Sequence, residues 1–235
     1  METIRIDTMT GTGGSWYDEY RRLRHRVFVV EQGWDGLSHA GSDATIPDPA
    51  DRASHFWLAR SASGTLIGAV RVRAVHDVFP HHDLFALHLA RPEMIAMRPW
   101  MGTLNSLVVD GQWRRRNCVD RDGHSGTVAN ILLRESLAGS TGAGMRALVA
   151  TAQTIISARA LMGAGFRVID PPVLTELHPH FPMCNVGIVL APDGTPAGAL
   201  SAYFESCERR VLGAASLESW FREPLGSSTP RAVAL

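Results

Sequence analysis

The stretch SLVVDGQWRRRNCVDRDGHSGTVANILL, residues 106–133, decides the fold. It begins with an apolar run that predicts a strand and ends with an amphipathic run that predicts a helix. Between them lies a polar turn with arginines and glycines. Free backbone N–H groups at a helix start, glycines that admit a ligand to the backbone and nearby arginines together favour a pyrophosphate. The alternative is a solvated basic loop that simply ends a strand.

Two better-known phosphate motifs do not fit this turn. No Gly-Lys-Ser/Thr follows it, which excludes a P-loop, and the Gly-x-Gly-x-x-Gly order of a dinucleotide site is absent. A different anion-binding strand–turn–helix unit is therefore predicted.

The rest of the chain alternates between short strands and helices. On the N-terminal side we predict a helix that Ser15 caps, with Tyr17, Tyr20, Leu23, Val27 and Val30 on one face. On the C-terminal side we predict strand, helix, strand, with the helix closed by Gly165. The predicted strands are residues 3–7, 55–60, 66–75, 102–110, 145–152, 166–170 and 185–191. The predicted helices are residues 15–34, 127–140, 154–165 and 199–221. The predicted loops are residues 33–49 and 75–100, and the second loop contains a short helix at 84–90.

Composition sets the class of protein. The 235 residues are 45% hydrophobic and carry no net charge, and arginine supplies every one of the 23 basic residues. A neutral chain has no global field to attract nucleic acid or an anionic membrane. Without an apolar run long enough for a membrane span, or a signal peptide at the start, we expect a cytoplasmic protein. We expect one domain over residues 1–225 and a flexible tail over 226–235.

Cysteines and histidines show no metal-ligand spacing. Cys118, Cys184 and Cys207 are widely separated, so we expect reduced cysteines without a special role. The histidines within 79–83 and 178–180 are read as loop residues, and no metal is expected.

The order of elements over roughly residues 103–170 resembles the acyl-CoA-binding half of the GCN5-related N-acetyltransferase (GNAT) superfamily. The matching features are the strand, the arginine-rich turn, the glycine-containing helix start, the next strand and the helix that ends ALMGAGF. The resemblance implies a GNAT-like mixed α/β fold. Its central sheet would be mostly antiparallel, with six to eight strands flanked by helices and a C-terminal helical tail. It also implies a coenzyme A thioester as the acyl donor.

Carried onto this sequence, the family pattern predicts which residues hold that donor. The arginine-to-glycine spacing is longer here than in the family's Arg/Gln-x-x-Gly-x-Gly/Ala turn. Thr154 takes the place of a frequent asparagine at the pantetheine arm, and Leu161 stands where the family has a tyrosine that commonly protonates the leaving thiolate. The predicted donor-binding residues are Leu107, Val108, Val109, Arg114, Arg115, Arg116, Gly123, His124, Ser125, Gly126, Thr127 and Thr154.

A second resemblance concerns the N-terminal half. RHRVFVVEQGW, residues 24–34, followed by Asp48-x-x-Asp51 and by an arginine on a strand, resembles the acyl-homoserine-lactone (autoinducer) synthases, a bacterial branch of the same fold. The resemblance implies that the acceptor amine meets the acyl chain at Arg24, Phe28, Trp34, Asp48, Asp51 and Arg71. We expect Arg24 to hold the acidic loop over the site by charge-assisted hydrogen bonds to Asp48 or Asp51. The alternatives are ordinary aromatic core packing and a surface ion pair of little energetic value.

One departure bears on the acceptor. The strand that carries Glu-x-x-Arg in the autoinducer synthases reads TLNS here, which gives Thr103 and Ser106 at those positions. We therefore expect an acceptor amine other than S-adenosylmethionine.

Amide formation needs a route for the amine proton, because only the neutral amine attacks a thioester. Glu31, Asp51 and His55 are the candidate bases, and Asn105 or Ser106 could polarise the carbonyl or hold a water molecule. Alternatively, backbone N–H groups of the SLVVD strand bind the thioester oxygen, so that positioning supplies most of the rate.

These observations favour an N-acyltransferase that moves an acyl group from an acyl-CoA or acyl-carrier-protein thioester to the amine of a small metabolite. Two alternatives stay open. The same fold could take its acyl group from an aminoacyl-tRNA, the one case in which a nucleic-acid partner is expected. Without the tyrosine and Glu-x-x-Arg, the chain could also be a catalytically silent acyl-CoA-binding or regulatory module.

Overall fold

The computed structural model describes residues 1–75, 85, 88–173, 182–191 and 194–222. Short 3-10 turns at 35–37, 49–53, 98–100 and 111–113 join several of its elements. The strands are β1 (Glu2–Thr10), β2 (Ser54–Ser61), β3 (Leu66–Ala74), β4 (Met101–Val109), β5 (Asn117–Val119), β6 (Ser125–Thr127), β7 (Ala147–Ala152), β8 (Arg167–Val168) and β9 (Cys184–Val189). The helices are α1 (Ser15–Arg24), α2 (Pro92–Met97), α3 (Val128–Gly142), α4 (Ile155–Gly163), α5 (Thr195–Ala214) and α6 (Leu217–Arg222).

The strands form one sheet in the order β6-β5-β1-β2-β3-β4-β7-β9-β8. All neighbours are antiparallel except the pairs β1–β5 and β4–β7. The predicted mixed, mostly antiparallel sheet is therefore confirmed. The predicted number of strands was too low, since the described residues form nine. The polar turn after β4 holds the hairpin β5–β6, whose strands of three residues are too short to show a period of two.

Helices cover both faces of the sheet. On one face, Val70, Val72 and Leu104 pack in the apolar core with the apolar sides of α3 and α4. On the other face, Phe56 and Leu58 pack with α1, and a separate apolar cluster packs below α2 and α5. Because successive strand residues point to opposite faces, the pairing of Phe56 with Arg71 and of Asn105 with Arg71 puts these three side chains on the α1 face.

The N-terminal helix changes its winding at its C-terminal end. α1 continues into a π-helical segment, His25–Glu31. The wider winding turns Val30 outward, with 69% of its surface exposed, so the prediction that Val30 shares the buried face was wrong. The predicted cap was wrong too, because Ser15 is already helical and Gly14, at φ 95°, precedes the helix. Tyr17, Tyr20, Leu23 and Val27 are buried as predicted.

The second half of the chain follows the predicted order of strand, helix, strand, helix, strand. The Thr154 hydroxyl caps α4, and Gly165 follows that helix at φ 97°, a conformation that favours glycine. The predicted helical tail is two helices, α5 and α6. The three cysteines are buried and free.

Some predictions fall on residues without a description. The 79–83 and 178–180 histidines and the 226–235 tail lie outside the described residues. Residues 84, 86 and 87 of the predicted helix at 84–90 lie outside them too, whereas Phe85, His88 and Leu89 are helical as predicted. Within the described part of the chain, every helix is too short or too polar to cross a membrane.

The sheet opens between β4 and β7, and this opening positions the site. Their parallel pairing runs from Met101 with Ala147 to Leu104 with Ala150 and stops there. In the same region β4 carries one extra residue against β3, between the pairs Asn105–Arg71 and Val108–Ala69. Ser106, inside this bulge, has φ 53°, a left-handed conformation that is uncommon for a residue with a side chain.

Candidate active site

A cavity of about 270 Å³ lies at the opening between β4 and β7. Its floor is the bulged part of β4, residues 104–107. The charged wall consists of Arg24, Phe28, Trp34, Leu37, Asp48 and Arg71. The uncharged wall, opposite it, consists of Ala150, Thr151, Gln153, Ser157 and Leu161.

Two arginines and two aspartates form an ion cluster in and behind the charged wall. Arg71 donates from Nη1 to both Asp48 and Asp51, and the distance to Asp48 Oδ2 is 2.5 Å. The Tyr17 hydroxyl donates to Asp51 Oδ2 at 2.7 Å, and Arg24 Nη1 lies 3.9 Å from the same oxygen. Arg24 and Arg71 are each 6% exposed and Asp51 is fully buried. The alternative of a surface ion pair for Arg24 is therefore excluded.

The two aspartates have different surroundings. Asp48 begins the 3-10 turn Pro49–Ala53, accepts a hydrogen bond from the Ala50 N–H at 2.9 Å, and faces the cavity. Burial alone would raise the pKa of Asp48, but the charge and hydrogen bond of Arg71 lower that pKa overall. Asp48 is therefore ionised at neutral pH. Burial and the hydrogen bond to Asp51 raise the pKa of Tyr17, which stays a hydrogen-bond donor.

Asp51 serves the cluster and not the substrate. Its oxygens are bonded to Arg71 and Tyr17, and none of its surface is exposed. A general base must come within hydrogen-bond reach of the proton that it removes. The prediction that Asp51 is a base therefore does not fit its position, and Asp51 is a positioning residue for Arg71.

The aromatic residues of the charged wall are stacked. The ring centres of Phe28 and Trp34 lie 5.0 Å apart, and the ring planes are inclined by 11°. The backbone N–H of Trp34 donates to the backbone carbonyl of Phe28 at 2.9 Å. The Arg24 guanidinium lies 5.9 Å from the Phe28 ring centre and 5.5 Å from that of Tyr20. Both distances are within the range of a cation–π contact. The π-helical segment, which ends just before Trp34, brings these rings together.

The uncharged wall comes from β7 and α4. Thr151, Gln153 and Ser157 were not predicted as site residues, because nothing in the sequence shows where β7 separates from β4. Thr154, a predicted donor-binding residue, forms a capping box with Ser157 at the start of α4. Leu161, at the position where the resemblance implies a tyrosine, lines the cavity with an apolar side chain.

The floor brings together the predicted polar residues of β4. Asn105 donates from Nδ2 to Thr103 Oγ1 at 2.9 Å, and Asn105 and Ser106 both line the cavity. Leu107 lines it as well, whereas Val108 and Val109 are buried. Beyond Leu104, β4 is not paired with β7, so backbone groups on this edge of β4 face the opening.

Two predicted bases lie away from the cavity. Glu31, at the end of the π-helical segment, forms an ion pair with Arg114. His55 pairs with Val72 across the sheet and so points to the opposite face from Arg71. Neither side chain lines the cavity, so the structure adds no support for their role as bases, which stays a prediction.

The predicted pyrophosphate cradle is also outside the cavity. Arg114 contacts Glu31 and the Val109 carbonyl, and Arg116 contacts Glu2. The remaining cradle residues, namely Arg115 and Gly123 to Thr127, lie in the turn after β4 and the β5–β6 hairpin. Whether they bind the far end of a donor stays a prediction.

One group of possible metal ligands occurs among the described residues. Oxygen and nitrogen atoms of Asp120, His124 and Glu135 lie within 4.8 Å of one another. Arg134 contacts both carboxylates. The structure therefore shows an ion-pair cluster, in which one guanidinium contacts both acids.

Comparisons with known proteins give a likeness in structure alone. No family model matches the chain, and no curated protein sequence matches it. The CoA-dependent acyl-homoserine lactone synthase BjaI superposes with a TM-score of 0.57 at 18% identity, over 87% of this chain and 90% of BjaI. The acyl-homoserine lactone synthase LasI gives 0.57 at 17% identity, over 81% and 92%. A proposed N-acetyltransferase from Lactobacillus plantarum gives 0.52 at 13% identity, over 80% and 99%. The chain therefore has the GNAT-like fold of these acyltransferases.

Proposed function

We propose that this protein is an N-acyltransferase that moves an acyl group from a coenzyme A or carrier-protein thioester to the amine of a small metabolite. One observation carries the proposal. A single cavity joins an ion-paired, aromatic wall to a bulged strand edge at the opening of the sheet. An amine acceptor and a thioester need these two environments side by side.

The charged wall suits the acceptor. Among the described residues that line the cavity, Asp48 is the one with a carboxylate. It would hold the ammonium form of an acceptor by charge-assisted hydrogen bonding. Arg24 Nε and Nη1 are buried and find no hydrogen-bond acceptor among the described residues. Because an unsatisfied buried donor is costly, an acceptor with a carbonyl or carboxylate oxygen near Arg24 would be favoured.

The floor and the uncharged wall suit the donor. A thioester placed against the bulge at Ser106 would direct its carbonyl oxygen to backbone N–H groups of β4. Fixed N–H dipoles stabilise the oxyanion that forms when the amine attacks. Thr151 and Gln153 offer hydrogen bonds to the amides of a pantetheine arm, and Leu161 offers an apolar contact.

The proton leaves the amine through solvent rather than to a strong base. Asp48 has a lowered pKa, which makes it a weak base but a good partner for the ammonium form. The neutral amine then attacks the thioester carbonyl, the C–S bond breaks, and the thiolate departs. A thiol pKa near 8.5 makes this a good leaving group even without an acid at the position of Leu161.

The structural neighbours support the donor class. One of the structures with this fold is of BjaI with SAM and isopentyl-CoA. This chain has Thr103 and Ser106 at the positions where the resemblance to the autoinducer synthases implies Glu-x-x-Arg, so we propose an amine acceptor different from SAM.

A thiol-release assay with a panel of acyl thioesters and small amines tests the proposal. We expect thiol release that requires the amine, together with an amide product seen by mass spectrometry. Arg24→Ala should abolish most of this release. Arg22→Ala, on the same helix but in an exposed pair with Asp43, is the matched control and should retain it. Binding of the thioester without amine-dependent release by any member of the panel would favour the silent module.

The donor's pyrophosphate site needs its own test. We predict that Arg114→Ala, Arg115→Ala and Arg116→Ala combined weaken coenzyme A binding, measured by calorimetry at low salt. The exposed pair Arg209→Ala and Arg210→Ala in α5 is the control for general loss of positive charge. Unchanged affinity in the triple variant would show that the cradle is misplaced.

A further inference from the structure

A second buried polar cluster lies behind the uncharged wall. His88 is 2% exposed, and its Nε2 lies 2.6 Å from Asp170 Oδ2, while its Nδ1 lies 2.5 Å from the Tyr203 hydroxyl. Asn185, 1% exposed, donates from Nδ2 to the same Asp170 oxygen at 2.8 Å. We call His88, Asp170, Asn185 and Tyr203 the His88 network. It joins four separate segments of the chain.

The network lies at the level where β7 has lost a neighbour. The last pair between β4 and β7 is Leu104 with Ala150, so Thr151 and Ala152 have no partner on the β4 side. Their pairing continues on the other side, where Thr151 is opposite Asn185 and Ala152 opposite Cys184. Within the sheet, β9 is therefore the one strand among the described residues that still pairs with this end of β7.

β9 in turn is held by Asp170 at this level. The pairing of β8 with β9 ends at Val168 with Val186, and beyond it the Ile169 N–H donates to the Asn185 carbonyl at 2.8 Å. The Cys184 thiol donates to the Asp170 carbonyl at 3.2 Å. Asp170 thus bonds to Asn185 through its side chain, is tied to Cys184 through its backbone, and is fixed by His88.

We propose that the His88 network anchors the free end of β7 and thereby positions the acyl thioester in the cavity. His88, Asp170 and Asn185 are positioning residues, which act through Thr151 and do not touch the substrate. The proposal rests on the proposed function, since it assigns the donor to the uncharged wall. Directly opposed residues of a sheet have their side chains on the same face, so a shift of Asn185 moves Thr151.

The first experiment uses no substrate. Asp170→Ala removes the acceptor that His88 and Asn185 share. We expect hydrogen exchange of the Ala152 amide, which points to β9, to become about tenfold faster, while exchange in β2 and β3 stays unchanged, because local opening is confined to the elements that lose contacts. Asp120→Ala is the matched control: it removes another buried, ion-paired carboxylate, at the β5–β6 hairpin. If exchange in β7 becomes equally faster in both variants, or does not become faster in Asp170→Ala, the His88 network does not anchor β7.

The second experiment measures the donor directly. In Asp170→Ala we expect the KM for the thioester to rise about tenfold and the KM for the amine to stay within about twofold, as expected for misplacement of one substrate. Asp170→Asn should restore part of the donor affinity, since its amide oxygen still accepts one hydrogen bond. If Asp170→Ala fails to fold, Tyr203→Phe tests the same network from its far end. An equal rise in both KM values would overturn the positioning role. Wild-type protein that transfers no acyl group would overturn the proposed function, whereas the exchange measurement still decides the anchor.

Discussion

The two walls of the cavity are built in opposite ways. The charged wall is a set of buried ions that neutralise one another, with Arg71 between Asp48 and Asp51 and Arg24 beside them. The uncharged wall is a strand end and a helix start, and its polar groups are hydroxyls and an amide. Both walls meet at the same bulge in β4.

The difference teaches how one cavity treats two unlike substrates. Buried charges orient a bound group strongly, because electrostatic interactions are stronger where water is excluded. Each buried charge must, however, always have a partner of opposite charge. Neutral groups tolerate an empty site at little cost. We therefore expect the charged wall to be the more rigid of the two walls. Substitutions there should lower stability and activity more than substitutions in the uncharged wall.

Removal of Arg71 should have the largest effect. Arg71→Met leaves Asp51 buried without its main cation, and loss of one partner of a buried pair typically costs about 3–5 kcal/mol. We expect the free energy of unfolding in urea to fall by that amount and amine-dependent thiol release to disappear. Arg73→Met, two residues along the same strand, is the control and should cost less than about 1 kcal/mol.

The double variant Arg71→Met, Asp51→Leu separates charge from packing. It removes both ions, so we expect it to be more stable than Arg71→Met alone while remaining inactive. If the double variant is the less stable of the two, the cost lies in lost packing and the wall does not depend on paired charge.

Arg24 should have the next largest effect, on turnover rather than on folding. It lies 3.9 Å from Asp51 and contacts two aromatic rings, so Arg24→Ala loosens the stacked Phe28 and Trp34. We expect kcat/KM to fall by roughly tenfold to a thousandfold, the range of positioning losses. Arg24→Lys should recover only part of it, because an ammonium lacks the planar guanidinium. Full activity in Arg24→Ala would remove this residue from the site.

The same variant tests how the loop over the charged wall is held. From the sequence we expected Arg24 to hold Asp48 or Asp51, but the close bonds come from Arg71. Limited proteolysis should therefore cut residues 36–50 faster in Arg71→Met than in Arg24→Ala. The reverse order would restore the expectation from the sequence.

Acid should weaken the charged wall selectively. The pKa of Asp48 is lowered in the folded state, so its ionised form adds stability above the pKa of an unfolded aspartate, about 3.9. That contribution is lost as the pH falls below about 4 and through the folded-state value. Urea unfolding from pH 7 to pH 2.5 should show wild type more stable than Asp48→Asn at pH 7, with the difference shrinking below pH 4. If the difference in stability between the two proteins does not change with pH, the contribution of Asp48 does not come from its charge.

The charged wall was largely predictable from the sequence, and the uncharged wall was not. Arg24, Phe28, Trp34, Asp48 and Arg71 were all assigned to the site through the resemblance to the autoinducer synthases, and all five line the cavity. The residues of the other wall are ordinary by type. They become site residues only because β7 leaves β4 after Ala150, and that separation depends on packing between distant segments.

The predicted bases that do not line the cavity have the same explanation. Glu31 and His55 have suitable side chains, yet the ion pair with Arg114 and the face of β2 keep them away from the cavity. Sequence spacing states which residues are near along the chain. It does not determine on which face of a sheet, or on which side of a π-helical segment, their side chains lie.

The smallest predicted effect is at Ser157, and it asks whether the uncharged wall takes part in the chemistry. Ser157 lines the cavity one turn before Leu161, so its hydroxyl is placed where it could give a proton to the departing thiolate. It already forms a capping box with Thr154, in which it accepts from the Thr154 N–H at 3.0 Å. A serine hydroxyl is a far weaker acid than a thiol, and a thiolate leaves without help near neutral pH.

We therefore expect Ser157→Ala to lower the free energy of unfolding by about 0.5–1 kcal/mol through the lost cap, and turnover by less than about threefold. Thr154→Ala, which breaks the same capping box from its other end, is the matched control for stability. A tenfold loss of turnover in Ser157→Ala alone, at equal stability of the two variants, would show that the uncharged wall supplies an acid after all.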